Sequence, residues 1–396
     1  MSIWAQILLY NSVSFSRHCE NEGKEIPMKT KAAILYEYNK PLVIEELELD
    51  PPKKNEVLVQ YKAAGLCHTD LSVLNGILPM PPLPCVAGHE GAGVVVEVGA
   101  NVKKVKPGDH VLAVWVPVCG ECVYCLKGKH NLCAEKDKVR GGTMLDGTFR
   151  LRKGDRNIHS MMGVGTFSQY NVLSEQSVLP IDKDLPFDAV SLVGCAVITG
   201  VGAVLNTARV EMGSTVAVVG TGGIGLNAIQ GAVLANATTI IAVDILDNKL
   251  AFAREFGATH TINAAKEDPI EKVMEITNQL GVDYAFEALG KPETALTCFK
   301  MIRRGGSAVI VGVPGLQETL TLPMFELSLL EKSILGSYYG SCDGRVDLKA
   351  LLDLYKNGRL KLDELVTGRY PFEEIQKGFE DLESGKNARG VIIYGD

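Results

Sequence analysis

The stretch GSTVAVVGTGGIGLNAIQGAVLANATTIIAVD, residues 213–244, holds a strand, a glycine loop, a helix and a second strand in one run. VAVV at 216–219 reads as a short buried strand, and Gly220, Gly222 and Gly225 form G-x-G-x-x-G where it ends. A helix follows to about Ala235. Glycines in this pattern permit a tight turn, admit a pyrophosphate close to the backbone and let the helix pack on the strand. The helix N-terminus then faces the phosphate charge. A glycine motif alone often marks only a turn, but TTIIAVD supplies the second strand and ends in Asp244, 24 residues after Gly220. A carboxylate there suits the adenosine ribose hydroxyls and would repel a 2′-phosphate, so the pattern points to NAD rather than NADP.

Alternation continues downstream. Helices are predicted near 247–256, 268–279 and 293–303, with strands VDYAFEA at 282–288 and SAVIVGV at 307–313. Strands alternating with helices imply an α/β unit, a doubly wound parallel sheet of the Rossmann type. A chain of 396 residues exceeds what one hydrophobic core usually serves, so a second domain is expected. With 46% hydrophobic and 22% charged residues, the composition is that of a soluble globular protein. A formal charge of −7 gives no reason to expect nucleic acid or an anionic membrane as partner. The apolar runs are far too short to span a bilayer. Residues 1–27 have an apolar opening but no basic residue before Arg17, a poor signal peptide. They are expected to form an unstructured extension.

Ten cysteines in a chain of this length do not form a disulfide framework. Four of them crowd into CGECVYCLKGKHNLC at 119–133, while six are scattered singly. The C-x2-C-x2-C-x7-C spacing brings Cys119, Cys122, Cys125 and Cys133 within reach of one ion, and zinc settles into such tetrahedral thiolate sites. With all four positions filled by protein, nothing is left for water or substrate, so this site is structural. Metal-bound thiolates suit a reducing cytoplasm, the location expected here.

Three more residues have the character of ligands but lie far apart: Cys67 in AAGLCHTDLS, His89 in AGHEGAGVVVEVG and Cys195 in LVGCAVITG. Two thiolates and an imidazole would hold Zn²⁺ with a fourth position open, where an alcohol oxygen would be acidified as zinc-bound water is, to a pKa of about 7. Singly, each such residue is more often packing than ligand.

In this order, GLCHTD, GHEGAG, the four-cysteine lobe, Cys195 and the glycine motif resemble the zinc-dependent alcohol dehydrogenases of the medium-chain dehydrogenase/reductase family. The likeness runs from about Met28 to the C-terminus. It implies a β-rich, GroES-like catalytic domain over 28–197 and 340–396, split by an NAD-binding Rossmann domain over 198–339. It further implies that Cys67, His89 and Cys195 hold a catalytic zinc, with Glu90 behind the metal and Asp70 accepting from the ligand histidine, which fixes its tautomer. Two zinc ions and one NAD per chain follow, and long-form relatives imply a homodimer. Cysteine at 195 favours this branch over the polyol dehydrogenases, which usually have a carboxylate there.

The same resemblance implies cofactor contacts at His68, Thr199, Gly223, Ile224, Lys249, Val311 and Arg389, and a substrate pocket walled by Trp115, Met162 and Tyr338 beside GILPMPPLP at 76–84. The implied reaction is reversible hydride transfer between NAD and a zinc-bound apolar primary alcohol or aldehyde, Thr69 taking the alcohol proton. Two positions depart from the family pattern. Ser72 stands where many relatives have a relay histidine and cannot titrate near neutrality; His68 stands where an arginine often meets the pyrophosphate. The glutathione-dependent formaldehyde dehydrogenases are the alternative, since they share the long segment MLDGTFRLRKGD after the lobe, with Lys136 or Lys138 as possible anchors for a glutathione carboxylate. A non-enzymatic structural zinc protein of dehydrogenase fold is an alternative of another class.

Overall fold

The computed structural model describes residues 27–395, so the expectation for residues 1–27 lies, apart from Pro27, outside the described residues. Thr215–Val219 is central to a six-stranded parallel sheet, with Thr239–Asp244 and His260–Asn263 on one side and Val282–Glu287, Ile302–Ile310 and Ser333–Gly336 on the other. Its central strands TVAVV and TIIAVD are near-continuous apolar runs because helices such as Gly223–Leu234 and Pro292–Met301 connect the strands across the faces. The order reverses at Thr215–Val219, which opens a crevice beyond the carboxyl ends of the strands.

The helices lie close to their predicted places, at Asp247–Glu255, Pro269–Ile276 and Pro292–Met301. Two strands, HTIN and SILG, were not anticipated; four residues each are too few for a periodic signal. The strand expected at 307–313 starts earlier, at Ile302, and ends at Ile310. Its ladder shifts register between Val282 and Tyr284, because the charged, glycine-bearing RRGG leaves the regular pairing.

The remainder of the chain is strand-rich. Met28–Leu35, Val43–Leu49, Cys85–Val86, Leu151–Lys153 and Arg156–Ser160 close a small barrel. A second sheet is built on Glu56–Gly65, which pairs antiparallel with Gly91–Val98, Tyr170–Ser174 and the C-terminal strand Arg389–Ile393. The last pairing sets Val391 opposite Gly65, so Arg389 returns beside the loop that carries Cys67.

The two parts meet where helix Ala196–Gly202 lies on helix Gly223–Leu234. Gly200 makes this possible: a β-carbon there would sit 2.5 Å from the Ile224 carbonyl oxygen. The helix that begins at Cys195 is thereby pressed onto the helix that begins at the glycine loop. Among the described residues no single helix is long and apolar enough to cross a membrane.

At the opposite end of the parallel sheet, Asp283 ties the first and fourth strands. Its Oδ2 accepts from the Thr215 N–H and hydroxyl, both at 2.7 Å, and its Oδ1 accepts from Arg303 Nε at 2.6 Å. Burial alone would raise the Asp283 pKa; Thr215 and Arg303 outweigh it and hold the carboxyl below its usual value. A depressed carboxylate stabilises the fold above its unfolded pKa of about 3.9 and loses that stabilisation as pH falls through it toward the folded value. Asp283→Asn should therefore cost about 1 kcal/mol in urea unfolding at pH 7, Arg303 adding little because it is half exposed. The difference from the parent should shrink below pH 4; a penalty that stays constant down to pH 3 would contradict the assignment.

Candidate active site

The tetrapeptide Cys67-His68-Thr69-Asp70 builds the first half of the site by helix capping. Cys67 is the N-cap of helix His68–Leu74, its sulfur 3.5 Å from the Thr69 N–H, and the Asp70 carboxylate reaches back to the Cys67 N–H at 3.1 Å. Asp70 is fully buried, and its other oxygen accepts from the Gly88 N–H at 3.2 Å and His89 Nδ1 at 2.9 Å. An imidazole that donates from Nδ1 has its Nε2 lone pair free, and Nε2 lies 3.3 Å from Cys195 Sγ. Cys195 is the N-cap of helix Ala196–Gly202 and arrives from the far side of the cleft.

The donor atoms of Cys67, His89, Glu90 and Cys195 all lie within 4.8 Å of one another, and all four residues are buried. A hydrogen bond from Cys195, then the imidazole of His89 and the guanidinium of Arg389, hold the Cys67 thiol well below its ordinary value. Burial works against a charged His89, but Asp70 outweighs it and raises the imidazole. Burial also lifts the Glu90 carboxyl to about 7 against the pull of Arg389. One oxygen of Glu90 accepts from Arg389, while Oε1 has no hydrogen-bond partner among the described residues. Two sulfurs, an imidazole whose Nδ1 is held by Asp70 and an orphaned carboxylate oxygen converging on one point fit a zinc ion.

The second donor set is the lobe. The sulfurs of Cys119, Cys122, Cys125 and Cys133 also lie within 4.8 Å of one another. The Cys119 N–H points at Cys133 Sγ (3.3 Å), and the Glu121 and Cys122 N–H groups at Cys119 Sγ (3.5 and 3.3 Å). The described cysteines are free thiols. Backbone donors aimed at sulfur favour thiolates, and four of them complete a tetrahedral shell.

The glycine loop divides its work as the motif implies. Gly220 takes φ 91°, a left-handed turn, and a β-carbon at Gly225 would sit 1.8 Å from the Gly220 carbonyl oxygen. A β-carbon at Gly222 would meet nothing within 4 Å, so this side of the loop is an open cradle of the kind a pyrophosphate fills. Gly223 packs on Arg389, whose Cδ would be 2.4 Å from an added β-carbon. Arg389 thus touches the glycine loop with its stem and Glu90 with its guanidinium.

Asp244 sits beside this cradle. Its Oδ2 accepts from the Thr221 N–H and hydroxyl at 2.8 and 2.9 Å, its Oδ1 from the Ile245 and Leu246 N–H groups at 2.8 and 3.2 Å. His68 is exposed, with Lys249 and Arg389 in electrostatic range. Ile224 is half-buried in the first turn of the glycine-loop helix, and Thr199 is buried one turn after Cys195. Val311 is buried, its N–H bonded to the Glu287 carbonyl at 2.9 Å.

Trp115 is buried and edge-on to the His89 ring, with centroids 5.8 Å apart; Tyr338 stands edge-on to Trp115 at 5.6 Å. Met162 is half-buried at φ 52° and packs against the hydrophobic core. Thr69 and Ser72 are half-buried, three residues apart on one helix. Three residues of the site carry little or no signal in the sequence. Tyr339 is a second aromatic partner of Trp115 at 4.8 Å. Arg140 contacts Met80 of the apolar loop at 2.9 Å. Thr221 is the third, and its place inside G-x-G was its only clue.

Residues 53–183 match the alcohol dehydrogenase GroES-like domain family and residues 223–357 the zinc-binding dehydrogenase family. The chain is 44% identical over 370 residues to the NDMA-dependent alcohol dehydrogenase of Amycolatopsis methanolica, covering 93% of this chain and 99% of that one. It is 41% identical over 377 residues to the S-(hydroxymethyl)glutathione dehydrogenase of Paracoccus denitrificans, covering 93% and 100%. The crystal structure of benzyl alcohol dehydrogenase from Acinetobacter calcoaceticus superposes with a TM-score of 0.88 at 33% identity, covering 93% and 100%.

If Asp70 orients the His89 ring, Asp70→Asn should weaken metal retention by the Cys67–His89–Cys195 set by about 10–100-fold. Competition with a chelator, with far-UV circular dichroism as the fold control, measures it. Unchanged retention would show that the ring is held by packing alone.

Proposed function

Because the chain belongs to the zinc-dependent alcohol dehydrogenases of the medium-chain family, we propose that it interconverts apolar primary alcohols and aldehydes with NAD as the hydride carrier. The observation that carries this reading is the convergence at Arg389, one side chain that contacts both Glu90 and Gly223. A zinc ion held by Cys67, His89 and Cys195 would supply a Lewis acid that acidifies the alcohol hydroxyl, and NAD in the cleft would accept the hydride. A second zinc in the lobe would brace the fold, and elemental analysis of the purified protein would test for two ions per chain.

The chain's own residues do the remaining work. Thr69, two residues after Cys67, accepts the alcohol proton at its hydroxyl. Ser72, one turn further, cannot titrate near neutrality, so the proton passes to water. Trp115 and Tyr338 wall the pocket and exclude solvent, while Arg389 and Lys249 supply positive charge along the phosphate side of the cleft and His68, held below its ordinary pKa by desolvation, offers a neutral hydrogen-bond donor there. Asp244 and Thr221 meet the adenosine ribose, and the carboxylate disfavours the 2′-phosphate of NADP.

A second reading has specific support. Lys136 lies over the Tyr338 ring at 4.5 Å, and Arg140 contacts Met80. Both place cations at the pocket where a glutathione carboxylate could be anchored, whereas Lys138 is engaged with Glu135 at 2.8 Å. Against it, the loop at 76–84 has no charge to meet a zwitterionic tripeptide, and burying apolar substrate surface there gains about 25 cal/mol per Å².

The deciding measurement is NADH formation. Benzyl alcohol and medium-chain alkanols should give a higher kcat/KM than S-(hydroxymethyl)glutathione, and a clear advantage for the adduct would transfer the assignment to the second reading. NAD should be strongly preferred over NADP, and Asp244→Gly should narrow that gap; equal use of both cofactors by the parent would mean that Asp244 does not face the ribose.

A cytoplasmic homodimer completes the proposal. Strand Ser333–Gly336 ends its sheet, and the preceding helix Met324–Leu329 buries none of its residues, leaving Met324, Phe325 and Leu329 exposed. An edge unpaired among the described residues, beside an apolar helix, favours a second copy related by a two-fold axis. Sedimentation should give a dimer that Phe325→Asp converts to monomer; a parent sedimenting as a monomer would remove this part.

A further inference from the structure

The chain crosses from the parallel sheet back to the strand-rich part through Tyr338–Cys342. Tyr339, Gly340 and Ser341 follow one another at φ 55°, 62° and 55°. This left-handed region is unfavourable for a residue with a bulky side chain. Such backbone persists only where its surroundings over-determine it. Here a large part of those surroundings is the four-cysteine lobe. Asn131, 5% exposed and set between Cys125 and Cys133, donates from Nδ2 to the Tyr338 carbonyl oxygen at 2.8 Å. The same oxygen accepts the Ser341 N–H that closes the turn, at 3.1 Å. Beyond the turn, His130 Nδ1 meets Asp343 Oδ2 at 3.2 Å.

The turn carries the aromatic wall of the pocket. The rings of Tyr338 and Tyr339 both stand edge-on to Trp115, and Trp115 stands edge-on to His89. Moving the Tyr338 carbonyl therefore moves two of the rings that face Trp115. A four-thiolate metal site does not itself need Asn131, which contributes no ligand and whose Nδ2 donates to a carbonyl 207 residues away.

We propose that Asn131 is a positioning residue for substrate: through the Tyr338 carbonyl it fixes the aromatic wall, so the four-cysteine lobe governs how well ring-bearing alcohols are held. This rests on the alcohol dehydrogenase reading above. It gives the lobe a part in specificity in addition to its part in stability.

The test uses the full-length chain. Its two tryptophans are Trp4 and Trp115, so Trp4→Phe leaves Trp115 as the single fluorescent reporter. Asn131→Asp keeps the side-chain volume and removes the donor. The KM for benzyl alcohol should rise about five- to tenfold, the scale of one lost buried hydrogen bond. Meanwhile kcat and the KM for ethanol should change less than about twofold, since neither depends on the ring contact. Zinc content should match the parent, and acrylamide should quench Trp115 more readily.

Unchanged benzyl alcohol KM and unchanged quenching with zinc retained would overturn the proposal, as would equal losses on both alcohols. If Asn131→Asp does not accumulate as folded protein, His130→Ala at the partly exposed Asp343 contact replaces it. That variant should shift KM and quenching in the same direction by about twofold, and no shift would overturn the proposal. If the parent oxidises no alcohol with NAD, the functional reading fails by itself. Trp115 quenching in Asn131→Asp then still decides whether Asn131 holds the wall.

Discussion

The site depends on one close approach. Gly200 lets helix Ala196–Gly202 lie against the first turn of helix Gly223–Leu234, where any β-carbon would strike the Ile224 carbonyl. The first helix starts at Cys195 and the second at the glycine loop, so the contact fixes the distance between a candidate metal donor and that loop. A side chain at position 200 would hold the two helices, and with them these termini, further apart. A glycine is the cheapest way to close that gap, since it sacrifices only the side chain.

The strand Arg389–Ile393 makes the same junction from the other side. It adds to the sheet beside Glu56–Gly65 and delivers Arg389 between Glu90 and Gly223. A buried guanidinium needs an anion, and Glu90 supplies one. Glu90 in turn keeps a free oxygen on the donor cluster. The glycine loop and the metal donors therefore share a charged pair, both members of which come from the strand-rich part.

Much of this was legible because chemistry imposes spacing. The lobe was visible in C-x2-C-x2-C-x7-C, since four thiols that share an ion must be close in the chain or held by a fold, and here they are close. The glycine loop and Asp244 were visible because a nucleotide-binding strand–turn–helix needs its residues at fixed offsets. Cys67, His89 and Cys195 were different. Nothing in their own neighbourhoods fixes them as a set, and only the resemblance joined them before the fold did. What stayed hidden is contact without pattern. Asn131 meets Tyr338 across 207 residues, Gly200 looks like any helix glycine, and the strand at Ile302 begins in RRGG, which has no alternation to read. These depend on which surfaces meet, and a single sequence does not encode that locally.

The proposed reaction would bring an alcohol carbon and a nicotinamide into direct contact between Cys195 and the glycine loop. Single-turnover oxidation of benzyl alcohol deuterated at its reacting carbon tests it most directly, with the reduced cofactor analysed by mass spectrometry and proton NMR. The account predicts that one deuterium arrives on the nicotinamide ring, on a single face, with none exchanged into water. Loss of the label to solvent, or its appearance on both faces, would contradict it.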